Sequence, residues 1–136
     1  MRSVYRVTGL LIAIAVALQV ASIALSGFTI SKDASDGTTI GADYSNFGER
    51  YHSIAGMVIG LLALVFLIAS FLTDVPRGRV FAGIVVGLVV LQFLLAVVAF
   101  GVPALGILHG LNGLAIAAVA SVGARRASVP NHVTTG

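Results

Sequence analysis

The sequence has no cysteine. Disulfides, thiolate metal sites, iron–sulfur clusters and haem attached covalently through Cys-x-x-Cys-His are therefore excluded. Charge is almost as scarce. Only 10% of the 136 residues are Asp, Glu, Lys or Arg, 58% are hydrophobic, and the mean hydropathy is +1.07. A chain of this length cannot hide so much apolar surface from water, so the bilayer is its expected solvent. The formal charge of +3 and the pI near 10.0 do not indicate a nucleic-acid partner. Six of the eight basic residues flank apolar runs, where they act as topology signals.

Four uncharged apolar stretches are present, at about 7–28, 53–72, 80–100 and 104–122. Each is close to the roughly 20 residues that a helix needs to cross ~30 Å of hydrocarbon. Only helices satisfy their own backbone hydrogen bonds in lipid without closing a barrel. The first stretch follows Arg2 and Arg6 but is longer than the apolar core of a signal peptide, so it counts as a helix. The expected fold is an all-α integral membrane protein, an up-down-up-down bundle of four transmembrane helices spanning residues 1–126. Arg2, Arg6, Arg77, Arg79, Arg125 and Arg126 fall on one side of that bundle. The positive-inside rule then places both termini in the cytoplasm, with the plasma membrane as the location. The other side carries the loop 29–49, whose Asp-Gly and Ser-Asn-Phe-Gly stretches suggest turns around a short helix or hairpin. Residues 127–136, containing Pro130, read as a disordered cytoplasmic tail.

Two short features recur along the chain. Helices one and three each carry a Leu-Gln pair, Leu18–Gln19 and Leu91–Gln92, and helices two and four each carry one histidine, His52 and His109. Helices 1–2 and 3–4 thus suggest a parallel two-fold repeat about an axis along the membrane normal. The Gln-to-His spacing is 33 in the first half and 17 in the second, a difference that the long loop of the first half accounts for.

A histidine inside a membrane helix is costly unless it has a partner or a task. His52 and His109 fall in the first turns of helices that run in the same direction, so they share a depth, whereas His132 lies in the polar tail. Helices two and four are diagonal in a four-helix bundle. With neighbouring axes ~8–10 Å apart, the diagonal is roughly 12–14 Å. Two facing imidazoles across that gap suit one iron ion between them. Gly56 and Gly60 follow His52 on one helical face, and Gly106, Gly110 and Gly113 surround His109, leaving room for a flat porphyrin. Phe66, Phe71, Phe93 and Phe100 are candidates for the rest of the lining, with Arg50 or Lys32 paired to propionates. The plainer readings stand beside this one. Glycines spaced by four also mediate helix packing, and Gln19 and Gln92 are able simply to bond between helices.

Glu49-Arg50-Tyr51-His52, followed by "AGMVIGLLAL", resembles the Glu-x-x-His-Arg signature of the haem A synthase family. The segment "LQFLLAVVAFGVPALGILHGLNGLAIAAVA" is similar to the stretch around that family's later histidine. The likeness covers residues 45–126, with helix one by layout, and corresponds to one four-helix half of the family's two-half architecture. It implies that His52 and His109 are axial ligands of haem b and that Glu49 is the catalytic carboxylate. For synthase activity it implies haem O as substrate and haem A as product. Ser53 stands where the signature has arginine, and the loop lacks the cysteine pair of many members. A single half holds one histidine pair, so synthase chemistry would require a homodimer or a larger respiratory complex. A bis-histidine b-type cytochrome acting in electron transfer has the same requirements. The alternatives are an accessory subunit of a membrane complex, with incidental histidines, and then a small transporter.

Overall fold

In the computed structural model, which describes residues 1–128, the four apolar stretches form four α-helices: α1 (Arg2–Ser35), α2 (Phe47–Phe71), α3 (Gly78–Gly101) and α4 (Gly106–Arg126). A single 3-10 turn at Pro103–Leu105 joins α3 to α4, because proline fixes a helical φ and has no N–H to place. All four helices are long and apolar enough to cross a membrane. Each packs on two neighbours: α1 and α3 both touch α2 and α4, so the pairs α1/α3 and α2/α4 are diagonal. The up-down order brings Arg2, Arg6, Arg77, Arg79, Arg125 and Arg126 to one end, called here the terminal end, and the loop 36–46 to the other.

The first two helices exceed their expected bounds, and the loop shrinks accordingly from 29–49 to 36–46. α1 has 34 residues, about 51 Å at 1.5 Å per residue, which is more than the ~30 Å of hydrocarbon. Its extra turns are polar and hold themselves together. Thr29 Oγ1 donates to Leu25 O, Ser35 Oγ donates to Ser31 O, and Lys32 pairs with Asp36 one turn on. α2 begins early because Asn46 caps it, its Oδ1 accepting from Glu49 N at 3.1 Å. Among the described residues there is no hairpin in the loop, which is two turns around residues 36–37 and 42–43.

Small residues let the helices approach closely, as expected where lipid supplies no hydrophobic drive between them. Gly48 crosses α1 so tightly that a Cβ there would stand 2.7 Å from Ser26 N and nearer still to Ser22 O. At the terminal end a Cβ on Gly9 would meet Ala120 O and Phe66 at 3.0 Å, and one on Gly123 would meet the Tyr5 hydroxyl at 2.9 Å. These gaps are filled by Tyr5 and Phe66, both fully buried, whose rings stack at 4.2 Å. Tyr5 donates to Gly78 O across the α1/α3 diagonal at 3.1 Å, which satisfies its buried hydroxyl. The expected tail is in part docked: Ala127 is buried, and its carbonyl accepts from Arg2 Nε at 2.9 Å. The disorder expected for the rest of the tail, and His132, lie outside the described residues.

Candidate functional site

The bundle's polar side chains gather towards the loop end. Gln19, Ser22 and Ser26 on α1 and Asn112 on α4 are buried, and His52 and Gln92 are half-buried. Towards the terminal end the core turns apolar through Ile12, Val16, Ile59, Ala63, Val85 and Ile116, until Thr8 and Ser70.

His52 and His109 face each other across the α2/α4 diagonal, with ring centres 6.0 Å apart and planes inclined by 54°. Two imidazoles sharing one metal ion, with metal–nitrogen bonds of about 2 Å, place their ring centres roughly 6 Å apart. The ring spacing matches that distance, but both nitrogens of His109 are engaged by Gln92, and among the described residues no three His, Asp or Glu side chains cluster as a metal site.

The ring of His109 is fixed by a chain of hydrogen bonds that also assigns its tautomer. Asn112 Nδ2 donates to Leu88 O at 2.8 Å and to Gln92 Oε1. With its oxygen turned to Asn112, the Gln92 amide presents Nε2 to His109 Nε2 at 3.0 Å. That nitrogen must accept, so the imidazole proton lies on Nδ1 and is donated to Gln92 O at 3.1 Å. A ring nitrogen tethered to a backbone carbonyl is the usual way of holding a metal-ligating histidine, with the other nitrogen's lone pair directed at the metal. In this arrangement the Gln92 amide covers that lone pair.

The first half is built on the same plan but is left incomplete. Gln19 Nε2 donates to His52 O at 2.9 Å, while Gln19 Oε1 and His52 Nδ1 are buried with no hydrogen-bond partner among the described residues. Aligning the two histidines in the sequence shows the difference. Superposing His52 on His109 sets Gly56 on Gly113 and Ala55 on Asn112. In both halves the glutamine Nε2 lies 3.6 Å from where a Cβ on that glycine would be. Ala55, however, has no amide to offer Gln19 as Asn112 offers one to Gln92. From the sequence, Gln92 reads as a helix-packing residue and Asn112 is not singled out. The signal was the His-x-x-Asn spacing, which puts Asn112 one turn beyond His109 on the same face.

The remaining expected residues are dispersed. The space beside Gly56 and Gly113 is bounded by glutamine amides, and Gly60 faces the Phe93 ring at 3.5 Å. Gly110 is exposed, with nothing within 4 Å of an added Cβ. Glu49 and Arg50 are exposed in the first turn of α2. Arg50 lines a groove on the lateral face of α2, whose lining does not include His52 or His109. The chain matches no family model, no curated protein and no solved structure.

Proposed function

We propose that this chain is a membrane haem b protein in which His52 and His109 are the two axial ligands and whose use is electron transfer. The observation that carries the reading is the pair itself, two imidazoles 6.0 Å apart across the bundle diagonal. The Nδ1 tether of His109 to Gln92 O supports it, because it leaves the proton off Nε2, the nitrogen that would ligate once the Gln92 amide moves aside. When bound, haem supplies a one-electron couple, and two histidine ligands leave no open position for substrate chemistry. The chain's own contribution is to hold the rings. Gln92 O keeps the Nδ1 proton of His109, and the Gln92 amide must give up His109 Nε2 before that lone pair is available.

Haem A synthase-like modification is less well supported. The exposed Glu49 is outside the half-buried pair, and a single chain offers one pair only. With both termini cytoplasmic in the plasma membrane, as the six arginines favour, the pair is in the outer half of the bilayer.

A second reading has its own observation. The Gln92–His109–Asn112 network closes on itself without a ligand, as a structural clasp in an accessory subunit would. A transporter is ranked below both, because the apolar layer from Ile12 to Ile116 interrupts any polar path through the bundle. Titration of the purified protein with haem b separates the first two. One equivalent bound saturably, and lost in both His52→Ala and His109→Ala, supports the haem protein. Unsaturable uptake that both variants share supports the clasp.

A further inference from the structure

The lateral face of α2 carries a groove of about 650 Å³ that opens on the α1 side. Its two ends differ in chemistry. At the loop end it is lined by Ser45, Asn46 and Arg50, and deeper in by Ile54, Ala55 and Val58, with Ala15 of α1 opposite. From Arg50 to Val58 the helix rises about 12 Å, so the apolar part reaches well into the membrane's depth. Phe47 and Tyr51, whose ring centres are 6.1 Å apart, stand beside Arg50 as an aromatic pair of the kind found at membrane–water boundaries. Among the described residues the Arg50 side chain has no ion pair and no hydrogen bond, although it is one of only two basic groups at this end.

We propose that this groove is a binding site for one anionic phospholipid, with the phosphodiester on Arg50 and an acyl chain along Ile54, Ala55 and Val58. Both ends of the groove complement such a lipid. A guanidinium presents paired N–H donors that match phosphate oxygens, and an unpaired one beside a bilayer surface is satisfied best by an anionic headgroup. The apolar floor distinguishes a lipid from free phosphate, because inorganic phosphate leaves Ala15, Ala55 and Val58 uncovered. Small side chains at Ala15 and Ala55 create the room, and a larger residue at either would fill it. Neither His52 nor His109 lines the groove.

Native mass spectrometry of the protein released from bilayers mixing phosphatidylglycerol with phosphatidylcholine tests this. The expected result is one retained phospholipid per chain, with phosphatidylglycerol enriched about fivefold over its share of the bilayer. Arg50→Gln should abolish the enrichment and Ala55→Phe should remove most of the retained lipid, while circular dichroism shows unchanged helix content. Arg50→Lys, which keeps the charge, should retain part of the enrichment. Retained lipid that mirrors the bulk composition would overturn the proposal, as would equal enrichment in Arg50→Gln. Full displacement by inorganic phosphate would also overturn it, because the ligand would then be the free anion.

Discussion

Gln92 engages both ring nitrogens of His109, accepting from Nδ1 through its backbone carbonyl and donating to Nε2 through its side-chain amide. One residue thus sets the tautomer and guards the lone pair. The orientation of its amide depends in turn on Asn112.

That dependence leads to a pair of opposite mutational effects. Asn112→Ala leaves Gln92 Oε1 and Leu88 O without their shared donor, at a cost of about 1–3 kcal/mol. Ala55→Asn, at the position that aligns with Asn112, should stabilise by about 1 kcal/mol where its amide turns from the groove to Gln19 Oε1. Thermal unfolding in detergent should therefore show Asn112→Ala melting below the parent protein and Ala55→Asn above it. Shifts of the same sign would disprove the equivalence of the two halves.

Gly56 and Gly113 separate folding from cofactor binding. An added Cβ at either stands 3.6 Å from a glutamine amide, which is ordinary contact. Alanine in a helix interior also gains roughly 0.5–1 kcal/mol over glycine. Gly113→Ala should therefore leave stability level or improved. If a porphyrin uses that space, the same variant should bind haem at least tenfold more weakly in titration.

Gly48 is the converse case. A Cβ there runs into the α1 backbone at Ser22 and Ser26, which cannot yield as a side chain does. Gly48→Ala should cost about 1–3 kcal/mol, the range for overpacking a close contact. It should also separate Asn46 from Ser26, now bonded at 3.0 Å, and amide exchange at the start of α2 would report that loss.

In the loop, Tyr44 donates to Asp33 Oδ2 at 2.7 Å, and this bond to the carboxylate holds the phenol above its usual pKa near 10. A raised folded-state pKa means that the phenol form is the one favoured by folding. Its contribution to holding the loop on α1 is complete below the unfolded value and is lost as pH rises through the folded one. Carbon-13 NMR of labelled tyrosine should show Tyr44 titrating above 10 and falling back towards it in Asp33→Asn. An unchanged titration in that variant would contradict the assignment.

How much of this was legible in the sequence varies with the kind of signal. Uncharged runs of membrane length marked all four helices, and Gln19 and Gln92 each lie against the histidine-bearing helix that follows in the chain. Helix ends were less legible, because Thr29–Ser35 and Phe47–Tyr51 lack the apolar run used to find a span. The local chemistry was nevertheless there: Asn46 with Glu49 three residues later is a capping pattern, and Lys32 with Asp36 is a helical pair. The facing of His52 and His109 followed from helix order and depth. The bonds that fix His109 did not, because they depend on how α3 is rotated against α4. The groove was missed for the same reason. Arg50 adjoins Glu49 and His52 in sequence, but the rotation of α2 sends it to a lateral surface.

The central claim is that His52 and His109 bind one iron through their imidazoles. A reduced-minus-oxidised absorption spectrum of the purified protein, expressed with ample haem, tests it most directly. The expected result is sharp α and Soret bands of a low-spin b-type haem, lost in both His52→Ala and His109→Ala. A colourless protein, or bands that survive both substitutions, would contradict it.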